Sequence, residues 1–467
     1  MLILEKEEIV VTHSKKIMIS YNFGSLSREF IAMAFNILVF FYYEAEIGLN
    51  VWLIGLGLVI FAVYNAINDP LIGYLTNRPF KFTKKWGRRM PWLLLGGIPL
   101  GFCYFLVFTP PSVDPKAGAW ILFGWLVFTT CLFDTFHSIF FVSYQALFPD
   151  KFRSLKERRT VTGFQVILGA IGIALGSILP PLLITFGNLE SYIFQGFVVF
   201  ILGLIIIIFA IPGWREDPEM IDRYLATAHE KVERESFLKT LKLAFKQKSF
   251  VAYMVLYTFY WVMINCMQAS LVFVVRFSLK MPAGATAPIM AGFLVGAIIS
   301  TPIWVKLAQK TNDNRKIMLI SSFLMGISVL PLVFFRDYLL IIITVFIWGI
   351  ALGGFWAMIF PVFSDVIDEA VVLHEKREEG IYIGIQQFFG RLGLIIAVMS
   401  ITIIHSLTGF VEGSETQTPL AVWGIHIHTG LVPAVAILIG ALVFWKMYDL
   451  KPDKISENQL KIKQLKL

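Results

Sequence analysis

Cysteine is scarce in this chain and charge is thin. The three cysteines, Cys103, Cys131 and Cys266, stand far apart in apolar runs. They exclude a disulfide framework and carry no zinc-ligand spacing. Charged residues make up 15% of the 467, against roughly 25% in a soluble domain. That shortage argues against a soluble enzyme or a nucleic-acid-binding module. No glycine-rich loop runs into Lys-Ser or Lys-Thr, so nothing supports ATP-driven work. No catalytic triad or metal-ligand motif stands out, and the chain does not read as an enzyme; no cofactor is expected. The seven histidines do not gather as ligands. The closest pair, His426 and His428, reads as interfacial polar residues at the start of a span. No secretory signal is visible, because residues 1–16 are polar and the first apolar run is a full span.

What is abundant is apolar: 57% of residues are hydrophobic, with a mean hydropathy of +0.73. About 20 apolar residues carry a helix across a bilayer. Twelve stretches qualify, at 17–44, 51–76, 91–110, 117–148, 160–187, 190–212, 249–278, 287–310, 315–335, 338–364, 379–408 and 429–448. The expected fold is an all-α membrane protein of twelve transmembrane helices in two pseudo-symmetric six-helix halves. The domains are an N-terminal bundle (1–212), a cytoplasmic linker (213–248), a C-terminal bundle (249–448) and a cytoplasmic tail (449–467). In the linker, Phe237, Leu241 and Phe245 recur on one face of an amphipathic helix. The loops after spans 2 and 8 are both short and basic, at matching places in the two halves, as parallel repeats require.

Charge placement predicts orientation. Of the 40 Lys and Arg, 34 lie in segments sharing one side of the membrane. Three (Lys116, Lys280, Arg336) lie in the opposite loops, and three (Arg28, Arg276, Arg391) lie within spans. The positive-inside rule then puts both termini in the cytoplasm. It also explains the net charge of +8 without nucleic acid.

The polar residues inside the spans are the candidate site. Asn65 and Asp69 stand four apart on one face of span 2. An acid there costs at least ~2.5 kcal/mol on insertion scales, so it should face a cavity rather than lipid. Asp69 with amide oxygens supplies ligands for a hard cation such as Na⁺, and a proton needs only the carboxylate. Pro70 frees a backbone carbonyl one turn earlier. Asp134 in span 4 is the second candidate coupling acid, whereas His137 reads as packing. Span 1 carries Arg28 and Glu29, span 5 Gln165, and span 11 Arg391, which needs an anion. Trp356 in span 10 offers a ring to the apolar face of a sugar. Gly163, Gly169, Gly172 and Gly176 mark span 5 for close helix packing. Arg88 and Arg89, with Asp365, Asp368 and Arg377 in the span 10–11 loop, read as a cytoplasmic gate.

Three motifs together resemble the glycoside–pentoside–hexuronide:cation symporter family of the major facilitator superfamily. They are Asn65-Ala66-Ile67-Asn68-Asp69-Pro70-Leu71-Ile72-Gly73, Trp86-Gly87-Arg88-Arg89-Met90-Pro91-Trp92 and Lys376-Arg377-Glu378-Glu379-Gly380-Ile381-Tyr382. The resemblance implies a major facilitator fold and cation-coupled symport of a sugar or glycoside by alternating access, with the protein acting as a monomer. It assigns cation coupling to Asp69, Asn65, Asp134 and Glu29, and substrate contact to Arg28, Glu29, Gln165, Trp356 and Arg391. Asn65 stands where the family's first helix 2 acid would be. Phe141 and Gln145 stand at its helix 4 acid and tryptophan, and Gln165 at its helix 5 arginine. The coupling ion is then H⁺ or Na⁺. Cys131-Leu132-Phe133-Asp134 and the Gly87–Trp92 stretch also resemble the sodium-dependent lysophospholipid symporters. On that alternative the substrate is a lysophospholipid or other amphiphile, and Arg391 holds its phosphate.

Overall fold

The computed structural model of the chain describes residues 13–76, 80–227, 244–374 and 379–465. Among them every regular element is helical, and twelve helices are long and apolar enough to cross a membrane. They are α1 (Lys15–Glu46), α2 (Val51–Thr76), α3 (Met90–Val107), α4 (Ala119–Lys151), α5 (Lys156–Leu183), α6 (Leu189–Trp214), α7 (Lys248–Ser278), α8 (Ala283–Thr311), α9 (Asn314–Val333), α10 (Tyr338–Leu373), α11 (Ile381–Thr408) and α12 (Pro419–Met447). The chain is an integral multi-pass membrane protein. The ends at which odd-numbered helices finish are called distal below.

Number and order of helices follow the apolar pattern, but two ends differ. Helix α12 begins at Pro419, well before residue 429. Thr418 caps it by accepting from the Ala421 N–H at 3.2 Å, and proline suits a first helical position. His426 and His428 therefore lie two or more turns inside the helix, not at its start, and are buried. Helix α10 continues past 364, so Asp365 and Asp368 ride on helical turns instead of a loop. Phe237 and Leu241 of the expected linker helix lie outside the described residues. A short helix does form over Pro218–Thr227.

By packing, the chain forms two compact units, and they do not follow chain order alone. The first is Met1–Phe35, Val63–Ile184 and Asn188–Val232; the second is Asn36–Ala62, Thr185–Gly187 and Glu233–Leu467. In the first, α3 packs on α4 and α6. The approach of α3 to α4 is so close that a Cβ on Gly96 would sit 2.5 Å from the Phe140 backbone nitrogen. Two of the span 5 glycines do the same against α1: a Cβ on Gly172 would meet the Leu26 carbonyl at 2.5 Å, and one on Gly176 would collide with that of Phe30, whereas Gly163, expected to pack closely, has open space at its Cβ position. Tyr21 and Tyr144 stack at 4.6 Å in a core shared with Leu93, Phe140 and Trp214. Asn22 is spent on this packing, donating to the Val161 carbonyl at 3.0 Å.

In the second unit, α8 packs on α10, α9 on α10 and α12, and α7 on α11 and α12. The distal ends of α1 and α7 have the same geometry. Each finishes in a π-turn, Tyr42–Glu46 and Val274–Ser278. The Ile47 and Leu49 N–H groups donate to Tyr42 and Tyr43, as those of Leu279 and Met281 do to Val274 and Val275, at 2.9–3.0 Å. The residue between the two donors is left-handed in both, Gly48 (φ +81°) and Lys280 (φ +51°). So detailed a recurrence in the first helix of each six is what a parallel repeat produces.

Candidate cation and substrate site

Helices α2 and α4 bring three predicted residues together in the first unit. Asp134 is buried, and its carboxylate accepts from the Asn65 amide and, at 3.1 Å, from the Asn68 amide. One turn further along both helices, Ser138 Oγ donates to Asp69 Oδ1 at 2.5 Å. Tyr64 and Thr135 hydroxyls close the other end at 2.8 Å. The spacing explains this geometry. Asn65 and Asp69, four apart, share a face of α2; Asp134 and Ser138, four apart, share the facing side of α4. Hydrogen bonds to a charged group contribute about 1.5–3 kcal/mol each, enough to offset the insertion cost of an acid.

Two features make the cluster unfinished as a structural pair. Asp69 is half-buried, and among the described residues no Lys, Arg or His lies within ion-pair distance of it. The Asn65 Oδ1 atom is buried and accepts no hydrogen bond, a costly condition for a polar atom. Pro70 lies inside α2 and deprives the Ala66 carbonyl of its helical donor. The cluster thus offers carboxylate, amide and carbonyl oxygens, the donor type that hard cations take. Among the described residues no group of three or more His, Cys, Asp or Glu is placed to hold a metal ion, so any cation here would rest on mixed oxygens.

Arg28 and Glu29 pair with each other across neighbouring positions of α1, an arrangement the 100° step between adjacent residues did not require. The Arg28 guanidinium lies 4.8 Å from the Phe141 ring centroid on α4. Both charges stay half-buried. Gly169 of α5 faces the same segment, since a Cβ there would meet Ser25 Oγ at 3.2 Å and Glu29 Cγ at 3.9 Å. Gln165 stands one turn before Gly169 and is half-buried. His137 stacks between Phe133 and Phe141 on its own helix. In the second unit, Trp356 Nε1 donates to the Tyr260 hydroxyl at 2.8 Å, which fixes the indole plane. Arg391 is half-buried, and among the described residues no carboxylate lies within ion-pair distance of it.

The predicted gate residues lie in different units. In the first unit, Glu216 caps α3: its carboxylate accepts from the N–H groups of Arg88 (3.0 Å), Arg89 (2.5 Å) and Met90 (3.0 Å). An anion at a helix N-terminus satisfies orphan donors and the helix dipole together. Gly87 makes room, with φ +87° and a Cβ position only 2.6 Å from Glu216 Oε1. The Arg88 guanidinium lies over Tyr224 at 4.2 Å. Arg89 donates to the Thr76 carbonyl at 3.3 Å, and burial pulls its guanidinium down to about 10. In the second unit, Asp365 accepts from Asn314 at 3.2 Å. Asp368 sits one turn short of the end of α10, and Arg377 lies outside the described residues.

Comparison with known proteins settles the family. The model of the MFS/sugar transport protein family matches residues 20–451. The chain belongs to that family. It is 21% identical to the sodium-dependent lysophosphatidylcholine symporter 1-A of Danio rerio, over 86% of this chain and 79% of that one. It is 24% identical to the lactose permease of Lactobacillus delbrueckii subsp. bulgaricus, over 83% of this chain and 62% of that one. Its fold is like the crystal structure of a D-xylose-proton symporter, with a TM-score of 0.66 at 14% identity, covering 93% and 98% of the two chains. This MFS protein is a transporter and not an enzyme.

Sequence reading missed three things in this MFS transporter. Asn68, within the quoted span 2 motif, went unassigned although it holds Asp134. Glu216 lies in a polar stretch where one acid looks like another. Glu44 was passed over in Tyr42-Tyr43-Glu44-Ala45-Glu46, where a span ends and acids are ordinary. An acid flanked by four apolar aromatics on its N-terminal side, Phe40 to Tyr43, was the available signal.

Proposed function

We propose that this MFS transporter couples the uptake of a sugar or glycoside to a cation, H⁺ or Na⁺, held at the α2–α4 cluster. The observation that carries the reading is Asp69, with Ser138 as its hydroxyl donor, one turn along α2 from the unpartnered Asn65 Oδ1. Each is an oxygen that a positive ion would satisfy. Asp69 is the principal coupling residue in this reading. Asp134 and Asn65 complete the oxygen set, and Glu29, paired with Arg28, supplies a neighbouring acid. In the first unit, Arg28, Glu29 and Gln165 are assigned to substrate; in the second, Trp356 and Arg391. The family's sugar transport and the name of the lactose permease relative support the substrate class. Counterflow of labelled sugars in proteoliposomes, run with and without Na⁺ and across a pH step, tests the reading. Cation-dependent counterflow of a sugar is expected; its absence for every sugar tried would refute the substrate class.

Arg391 favours a second reading, because a half-buried guanidinium without a carboxylate partner suits a phosphate. A lysophospholipid would supply one, as the Danio rerio relative's name indicates for that protein. Uptake of labelled lysophosphatidylcholine that disappears in Arg391→Gln, with no sugar counterflow, would decide for the lipid. The cell membrane, cytoplasmic termini and a monomeric state belong to both readings.

A further inference from the structure

The distal end of the second unit holds a line of polar side chains that cation coupling at α2–α4 does not use. Nδ1 of His405, on α11, lies 2.8 and 2.9 Å from the two carboxylate oxygens of Glu44, in the π-turn of α1. His405 Nε2 lies 2.8 Å from His428 Nε2 in the π-turn of α12. His428 Nδ1 lies 2.6 Å from Ser270 Oγ on α7. All four side chains belong to residues with 0% exposure. The Gly413 N–H also ties the α1 turn to the loop after α11, donating to the Glu44 carbonyl at 2.9 Å.

Hydrogen-bond accounting gives this line two complete proton states. With Glu44 ionised, His405 Nδ1 must donate to it. In the first state both rings are neutral: Ser270 donates to His428 Nδ1, His428 Nε2–H donates to His405 Nε2, and the group carries one net negative charge. In the second, one added proton makes His405 doubly protonated. It then donates to Glu44 and to His428 Nε2, the His428 proton moves to Nδ1 and is donated to Ser270 Oγ, and the group is neutral. Nothing has to move but protons and one hydroxyl rotor. His426 differs. Its Nδ1 faces the Leu332 carbonyl at 2.7 Å and must be a donor, and a proton added at Nε2, 2.7 Å from Ser278 Oγ, would leave a buried positive charge with no carboxylate bonded to the ring.

The surroundings favour the neutral state. Phe410 stacks on His405 at 4.4 Å and Phe273 meets it edge-on at 5.1 Å. Glu412 faces the line from the loop after α11 and accepts from the Val51 N–H at 3.0 Å. Arg276 is held by Glu46 at 2.6 Å, so that pair adds no net charge. Tyr42 and Tyr43 precede Glu44 in the π-turn, and His426 lies beside His428, with Arg336 beside His426. An unpaired buried charge is costly, and a paired one much less so.

We propose that Glu44, His405 and His428 form a binding site for one proton, and that this proton locks the distal end of α1 against α11 and α12. Undocking α1 would give Glu44 to water and free the proton, so docking is linked to proton uptake. The inference requires only that this end opens and closes, and it does not rest on the sugar reading.

The test is hydrogen exchange with mass spectrometry on the full-length, substrate-free, sodium-free protein in lipid nanodiscs. Peptides over 36–50 and 404–430 are followed between about pH 5.5 and 8.5, after correction for intrinsic exchange chemistry. Protection should fall as pH rises, by up to about tenfold per pH unit for one linked proton. Glu44→Gln, which removes the charge and keeps the shape, should flatten the slope, and His426→Gln should keep it. A flat profile in the unmodified protein overturns the proposal, even if Glu44→Gln fails to accumulate. A slope that survives in a folded Glu44→Gln protein overturns it as well. Because neither sugar nor sodium is present, failure here is separable from failure of the transport reading.

Discussion

Asp69 is held by a single serine hydroxyl, and that economy is what its proposed role requires. A carboxylate permanently paired with an arginine would have nothing to offer a passing cation. Asn65 tests the same geometry from the amide side. If its free oxygen is a ligand worth about 1–2 kcal/mol, Asn65→Ala should weaken the apparent affinity for the coupling cation about tenfold, measured as the cation concentration for half-maximal uptake. Lys280 makes a prediction about stability alone. It occupies a left-handed position where the first repeat has Gly48, and that conformation costs a residue with a Cβ roughly 1–2 kcal/mol. Lys280→Gly should therefore raise the thermal unfolding midpoint in detergent. Asp69 and Asp134 were legible from sequence because an acid inside an apolar run is conspicuous. Their partners were half legible: Asn68 lies in the same motif, but Ser138 is one of many serines. The Glu44–His405 contact was not legible, because the two residues lie 361 positions apart and no local spacing records it.

At the level of elements, the apolar runs specified twelve helices, and glycine specified how near they come. The α5 glycines are a direct example. Gly176→Leu would drive a side chain into the Phe30 carbonyl of α1, so the variant should lose monodisperse protein on size-exclusion chromatography, whereas Gly163→Leu, with open space around its Cβ, should not. Gly87→Ala faces two obstacles, a positive φ and Glu216 at 2.6 Å. It should lower stability by roughly 1–2 kcal/mol or more, read as a lower unfolding midpoint. Helix ends were the least legible part. A histidine near a span boundary reads as interfacial, yet His426 and His428 are satisfied by a carbonyl, a serine and another histidine, so α12 starts earlier than hydropathy alone suggests. Acids at the end of α10 read as a loop because charge is unfavourable in lipid, but a helix can leave the membrane without ending.

For the molecule as a whole, twelve helices and the MFS/sugar transport family place this chain among membrane transporters. The lopsided distribution of Lys and Arg, already complete in the sequence, predicts that reporters fused to either terminus are accessible from the cytoplasm alone. On the proposed reading, transport depends on a small number of incompletely satisfied polar atoms within the apolar spans, with Asp69 as their central member. The most direct test is uphill uptake into proteoliposomes driven by an imposed Na⁺ gradient or pH step, comparing the unmodified protein with Asp69→Asn. The account predicts that accumulation above equilibrium falls to the level of protein-free liposomes in the variant, while the variant still folds and inserts. Accumulation that continues unchanged in Asp69→Asn would contradict it.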